Sequence, residues 1–127
     1  MKYLLDTHAI IWYFEDLQKL PQRITDLVDN PEANKYISAV SLWEIALKMN
    51  IGKLDLHFSF NELLNRINNT DCEILQLENE YLELLFDLPP IHKDPFDRLI
   101  IATAIAENLT IITADENIHK YDALWIW

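Results

Sequence analysis

The sequence predicts an α/β fold in which a parallel sheet is covered by helices on both faces. Short apolar segments rich in β-branched residues alternate with longer segments of helical periodicity. Such alternation is typical of parallel strands joined by crossover helices. The chain has 127 residues, of which 50% are hydrophobic and 24% are charged, a balance that allows one buried core. We therefore expect a single domain over residues 1–127.

Five short segments are predicted to be strands. Four of them are apolar and bounded by turn or helix signals, and the last is a candidate edge strand. They are Lys2–Leu5, Tyr36–Ser38, Cys72–Leu75, Thr110–Thr113 and Trp125–Trp127.

Six segments are predicted to be helices, and several carry start signals. Pro21 and Pro95 suit a first helical turn, and Asp94 suits the N-cap before Pro95. Ser59 and Glu62 have the capping-box spacing. The predicted helices are Ala9–Phe14, Pro21 to about Asn30, Val40–Met49 with Gly52 beyond its end, Ser59 to about Asn69, Glu78–Phe86 and Pro95 to about Asn108.

Composition and spacing exclude several classes of protein. The first apolar run is interrupted at Asp6, too early for a signal peptide or membrane span. Cys72 is the only cysteine, which excludes a disulfide framework and a cysteine zinc cluster within one chain. Gly52 is the only glycine, which excludes glycine-rich phosphate loops. We expect a cytoplasmic protein with no membrane partner and no nucleotide cofactor.

The net charge of −11 weighs against a broad basic surface for nucleic acid. The chain has 10 Lys plus Arg against 21 Asp plus Glu, whereas phosphate binding normally draws on clustered cations. Two interpretations stay open: the acids are concentrated where a divalent metal neutralises them, or the chain binds no nucleic acid. The positions of the carboxylates bear on this choice.

Two acids follow predicted strands directly. Asp6 comes after the first strand, and Asp115 comes after the Thr110–Thr113 strand with one alanine between. Ligands of open parallel sheets bind at the carboxyl ends of the strands, so both acids are expected at one edge. Taken singly, Asp6 could equally cap the following helix and Asp115 could equally be a turn residue.

Two further acids interrupt apolar helix faces. Glu44 shares a face with Val40 and Leu47, and Asp97 shares one with Ile100, Ile101 and Ala104. A buried carboxylate must be neutralised, paired with a cation or bound to metal. The alternative for Glu44 is an ordinary helix pair with Lys48, and for Asp97 it is a favourable acid in a first helical turn.

Four acids from four segments suggest one metal-binding pocket. Like charges at close range repel and raise pKa values, and a divalent cation removes that repulsion. An oxygen-only ligand set favours Mg²⁺ or Mn²⁺ over zinc. One or two such ions suit phosphodiester hydrolysis, because they activate water and stabilise phosphate charge.

The same residues resemble a known family, the PIN-domain nucleases, and within it the VapC-type toxins of type II toxin–antitoxin modules. Four segments carry the resemblance in the family's order: Leu4–His8, Ser38–Ala46, His92–Ala102 and Ile111–Asp115. The resemblance implies a three-layer α/β/α sandwich with a central parallel sheet. It also implies an endoribonuclease that hydrolyses RNA with Mg²⁺ or Mn²⁺, an antitoxin whose tail covers the site, and a homodimer.

By this resemblance, Asp6, Glu44, Asp97 and Asp115 match the family's acidic quartet. Asp6 and Asp97 would be the principal metal ligands, and Glu44 and Asp115 would complete the pocket directly or through water. Thr113 would help to orient Asp115 or a metal-bound water. Asp94 is assigned to the helix cap in preference to the pocket. Arg98 could face the site to contact substrate or antitoxin, or could equally have a surface or ion-pair role.

Other residues are assigned mainly to structure. The four histidines lack metal-ligand spacing, and the tryptophans are expected to pack in the core or between subunits more often than to stack on bases. The helices between Phe58 and Leu88 could form a groove for a partner helix. The competing functions are a non-catalytic PIN-like domain that binds protein or RNA and, more weakly, a phospho-acceptor receiver domain.

Overall fold

A computed structural model describes residues 1–127 and contains a five-stranded, all-parallel sheet in the order β3-β2-β1-β4-β5. The strands are β1 (Lys2–Leu5), β2 (Asn34–Ser38), β3 (Glu73–Leu75), β4 (Thr110–Ile112) and β5 (Trp125–Ile126). All five predicted strands are confirmed within two residues at each end, and the last one lies at an edge of the sheet as expected.

Seven α-helices connect the strands. They are α1 (Thr7–Glu15), α2 (Gln22–Asp29), α3 (Ala39–Asn50), α4 (Phe60–Asn68), α5 (Asn79–Asp87), α6 (Pro95–Glu107) and α7 (Glu116–His119). The six predicted helices are confirmed. The sequence prediction did not include α7 or a 3₁₀ turn at Leu17–Lys19, because each is too short for a periodic pattern.

The predicted helix boundaries are largely explained by local capping. The Ser59 side chain accepts a hydrogen bond from the Glu62 N–H, and Asp94 accepts from the N–H groups of Phe96 and Asp97. Gly52 has a φ of 74°, the left-handed conformation that favours glycine after a helix end. Pro21 is at the N-cap of α2, one residue earlier than the first-turn position predicted for it.

The sheet separates two hydrophobic layers, as the three-layer prediction requires. Neighbouring residues of β1 point to opposite faces, so Leu5 packs with α1 to α4 and Leu4 packs with α6 and α7. This arrangement confirms the α/β/α sandwich. No helix combines the length and the apolar composition needed to cross a membrane.

Candidate metal centre and active site

The four predicted acids lie around the carboxyl ends of the central strands. β1 and β4 are adjacent, and Leu5 pairs in register with Ile112, so Asp6 and Asp115 leave the sheet at the same edge. Glu44 lies in the second turn of α3, which begins directly after β2. Asp97 lies in the first turn of α6, and α6 packs against α3.

Asp6 is buried at the junction of β1 and α1. Its Oδ1 accepts a hydrogen bond from the Ala9 N–H at 2.8 Å, so the helix-capping role weighed for Asp6 is present. Burial raises the pKa of Asp6 above its usual 3.8, and the charge of Asp115 adds to this rise. Hydrogen bonds from Thr113 and Ala9 oppose it. The charged form of the Asp6 carboxyl is therefore disfavoured, although the charge of His8 also opposes the rise.

Glu44 is 3% exposed and bridges α1 and α3. Thr7 Oγ1 donates to Glu44 Oε1 at 2.7 Å, and Lys48 Nζ lies 2.5 Å from Glu44 Oε2. The helix pair weighed for Glu44 and Lys48 is thus observed. The hydrogen bond to Glu44 raises the pKa of Lys48, and the charges of Asp94 and Asp97 add to the rise. Lys48 is consequently the cation shared by this side of the cluster.

Asp97 shows the clearest effect of neighbouring acids. Its pKa rises from 3.8 to about 6, first because of burial and then because of the charges of Asp94, Asp115 and Glu44. A hydrogen bond with His92 opposes the rise. Because Asp115 also raises the pKa of Asp6, the quartet interacts as one electrostatic group.

Thr113 contacts both acids at the strand ends. The Asp115 N–H donates to Thr113 Oγ1 at 3.0 Å, and Thr113 is fully buried and also bonds the Asp6 carboxylate. Asp115 Oδ1 accepts from the Asn117 N–H at 2.8 Å and caps α7. Thr113 therefore connects the two acids at the strand ends.

Asp94 caps α6, as predicted, with its Oδ1 accepting from Phe96 and Asp97 at 2.9 and 3.0 Å. The ion-pair role considered for Arg98 is not observed. Its guanidinium donates to the carbonyls of Leu88 and Pro89 and to the Tyr121 hydroxyl, and it forms no ion pair. Arg98 follows Asp97 in sequence but is directed at the loop before α6.

The donor chemistry of the quartet suits a hard divalent cation, because all four side chains supply oxygen and repel one another. No group of three or more His, Cys, Asp or Glu side chains is arranged to hold a metal ion as the side chains stand. The carboxylate oxygens are engaged by protein donors instead, namely Lys48, Thr7, His92 and the Ala9 N–H. A bound cation would replace some of these donors.

Sequence reasoning missed His92, which it assigned to a structural or exposed position. His92 Nε2 lies 3.2 Å from Asp97 Oδ2, and both side chains are largely buried. The spacing of five residues spans a loop and a helix start, so no helical or strand period indicates the contact. The segment His92–Ala102 carries part of the family resemblance, but no spacing within it indicates a role for His92 at the site.

A groove of about 650 Å³ adjoins the quartet between α1, α3 and residues 53–57. Three lysines line it, Lys19, Lys48 and Lys53, together with several acids. His8 and Trp12 border both this groove and a smaller cavity at Asp6 and Asp115. The groove therefore leads to the carboxylate cluster.

The family model of the PIN domain matches residues 3–124. The chain belongs to the PIN domain family, which confirms the resemblance found in the sequence.

Solved structures show the same fold. One is VapBC2 from Rickettsia felis bound to a DNA fragment from its promoter. It is 19% identical in sequence to this chain, and the match has a TM-score of 0.77 and covers 99% of this chain and 98% of that chain. FitAcB from Neisseria gonorrhoeae is 23% identical with a TM-score of 0.68, over 98% and 96%. VapBC-1 from nontypeable Haemophilus influenzae is 18% identical with a TM-score of 0.69, over 99% and 97%. Comparison with curated protein sequences finds no match.

Proposed function

We propose that this protein is a Mg²⁺- or Mn²⁺-dependent endoribonuclease that acts as the toxin of a type II toxin–antitoxin module. One observation carries the proposal: four carboxylates from separate elements lie around the carboxyl ends of the central strands, where burial and then the charges of Asp94, Asp115 and Glu44 raise the pKa of Asp97 to about 6. Such repulsion is costly unless a cation relieves it. The proposed catalytic residues are Asp6, Glu44, Asp97 and Asp115.

The four acids divide into two proposed roles. Asp6 and Asp97 would hold the cation, and Glu44 and Asp115 would complete its surroundings directly or through water. When bound, Mg²⁺ or Mn²⁺ supplies an activated water and stabilises charge on the phosphate. The hydroxyl of Thr113 bonds the Asp6 carboxylate and the Asp115 backbone N–H, and so holds the two acids close together. With a pKa of about 6, Asp97 is mostly ionised at pH 7.5 and is then able to bind metal.

The groove beside the pocket supports an RNA substrate. Its lining includes three of the 10 Lys plus Arg, together with four acids. Lys48 is paired with Glu44, so we propose that Lys19 and Lys53 contact the phosphates. Phosphate contacts of this kind position a strand without reading its sequence. We expect the activity in the cytoplasm.

The toxin role is supported by the kinds of protein that share this fold. The Rickettsia felis and Haemophilus influenzae structures are VapBC proteins, and a structure from Klebsiella pneumoniae is a toxin–antitoxin complex, at 18% identity and a TM-score of 0.65 over 98% and 96% of the two chains. We propose a cognate antitoxin as partner and a homodimer as the assembly. Exposed apolar side chains on α3 and α5 are available for such contacts: Trp43, Leu47, Leu82 and Phe86.

A cleavage assay with matched variants tests the activity. Purified protein, freed of any antitoxin, is incubated with labelled RNA in Mg²⁺, in Mn²⁺ and in excess chelator. We expect cleavage only with metal, and none with Asp6→Asn or Asp97→Asn. Asp87→Asn, an exposed acid at the end of α5, is the control and should cleave like the wild type. Cleavage that is equal with and without chelator contradicts the proposal.

The second candidate is a non-catalytic PIN-like domain that binds protein or RNA. It is favoured by the Lys48–Glu44 pair, which already neutralises one acid, and by the net charge of −11. Intact RNA after long incubation, together with no heat of Mg²⁺ or Mn²⁺ binding in calorimetry, would support this candidate. A small DNA-binding protein encoded directly upstream would support the toxin role.

A further inference from the structure

A chain of hydrogen bonds outside the quartet ends on Asp97. It runs from the Arg98 guanidinium through the Tyr121 hydroxyl and the His92 ring to the Asp97 carboxylate. Tyr121 is 4% exposed, and the His92 and Asp97 side chains are 12% and 17% exposed. These groups lie on α6, on the loop before it and in the turn after α7, so the chain joins three separate segments.

Counting donors fixes the direction of each bond. The Tyr121 oxygen accepts from the His92 backbone N–H at 3.1 Å and from Arg98 at 3.0 Å. A hydroxyl has two acceptor sites and one proton, so its own proton is directed to the remaining neighbour, His92 Nδ1, at 2.8 Å. Nδ1 is therefore an acceptor.

The protonation of one imidazole nitrogen is set by the bond that the other nitrogen makes. With Nδ1 accepting, the ring proton is on Nε2, which donates to Asp97 Oδ2 at 3.2 Å. Each polar side-chain atom in this series of hydrogen bonds then has a partner, in agreement with the absence of unpartnered buried side-chain atoms. The opposite tautomer would direct three donors at the Tyr121 oxygen and would leave Asp97 without a donor from His92.

Arg98 keeps the loop that carries His92 in place. Besides Tyr121, its guanidinium donates to the carbonyls of Pro89 at 3.0 Å and Leu88 at 3.4 Å. The His92 and Tyr121 rings also pack edge to face, with centroids 5.4 Å apart. The imidazole is thus held on one side by packing and on the other by Tyr121.

We propose that His92 is a positioning residue, locked in its Nε2–H form by Tyr121 and Arg98, that aims the Asp97 carboxylate at the metal pocket. This inference rests on the proposed metal-dependent function, but the tautomer itself does not. Outer partners of metal-binding side chains typically change metal affinity about 10- to 100-fold when they are removed. We expect a loss of metal affinity in this range when the Tyr121 hydroxyl is removed from this series of hydrogen bonds.

The test compares Tyr121→Phe with Tyr81→Phe. Tyr81 is an equally buried tyrosine, 3% exposed, whose hydroxyl bonds Glu107. Tyr121→Phe should weaken Mn²⁺ binding in calorimetry by about 10- to 100-fold, whereas Tyr81→Phe should bind like the wild type. His92→Gln, whose amide still offers a donor, should retain more affinity than His92→Leu. Equal affinities for Tyr121→Phe and Tyr81→Phe would overturn the proposal.

Nitrogen-15 NMR of the metal-free protein gives an independent readout. We expect His92 to show a protonated Nε2 and an unprotonated Nδ1 in the wild type and in Tyr81→Phe, and a mixture of tautomers in Tyr121→Phe. A protonated Nδ1 in the wild type would overturn the proposed role of Tyr121 and Arg98 in fixing the His92 tautomer. If the wild type binds no metal, the proposed function fails. The NMR measurement of the His92 tautomer then decides by itself whether Tyr121 and Arg98 fix the ring.

Discussion

Asp97→Asn should stabilise the metal-free protein although it removes a proposed catalytic group. The pKa of Asp97 rises from 3.8 to about 6 on folding, mainly because of burial and then because of neighbouring acids. At about 1.4 kcal/mol per pKa unit, ionised Asp97 costs the folded state up to roughly 3 kcal/mol at neutral pH. Asparagine avoids this cost, and its side-chain oxygen can still accept from His92.

The sign and size of the effect follow from the pKa. A carboxyl whose pKa is raised by folding stabilises the folded state when the pH is below the pKa of the unfolded state. This stabilisation is lost as the pH rises through the folded-state pKa of about 6. The substitution also removes a first-turn acid, worth about 0.5 kcal/mol. Allowing for this loss and for solvent screening, we expect a gain of about 2 kcal/mol at pH 7.5 and about 1 kcal/mol at pH 5.

Urea unfolding in chelator, at both pH values, measures this gain. Asp87→Asn is the control and should change the free energy of unfolding little at either pH, because its side chain is exposed. Adding Mg²⁺ should stabilise the wild type and leave Asp97→Asn unchanged. If Asp97→Asn is no more stable than the wild type at pH 7.5, or if its advantage is the same at pH 5, the electrostatic account of the cluster is wrong.

Three further substitutions test other parts of the structure by urea unfolding. Ser59→Ala removes the N-cap of α4 and should cost about 1 kcal/mol; no change would contradict the capping role. Lys35→Met should cost about 3 kcal/mol, because the buried ammonium donates to the carbonyls of Val28 and Asn30 and to Asp71; a stable variant would show that this network is dispensable. Lys48→Gln in chelator should cost about 1 kcal/mol, because Lys48 is partly exposed but its partner Glu44 is buried. Adding Mg²⁺ should restore the lost stability. A loss that Mg²⁺ leaves unchanged would argue against a cation at Glu44.

Local signals predicted the elements of this fold well. The Ser59 cap and the Asp94 and Pro95 helix start were readable from the sequence because capping depends on residues a few positions apart. The strand order and the short helix α7 were not predicted. Strand order depends on contacts between distant segments, and four residues are too few to show a helical period.

The site was predicted in part for the same reason. Asp6 and Asp115 could be placed at one edge from strand ends alone, and the register of β1 with β4 confirms that placement. The partners of Arg98 are backbone carbonyls and a hydroxyl, so no charge pattern indicated them. The contact of His92 with Asp97 likewise depends on how the loop from Leu88 to His92 folds back on α6.

The central claim is that the acidic quartet holds a divalent cation, and diffraction from crystals grown at pH 7.5 with Mn²⁺ tests it most directly. The account predicts anomalous density at the carboxyl ends of β1 and β4, with oxygens of Asp6 and Asp97 at about 2.1 Å from the ion. Manganese bound only elsewhere, or no anomalous density at saturating Mn²⁺ with Glu44 still paired to Lys48, would contradict it.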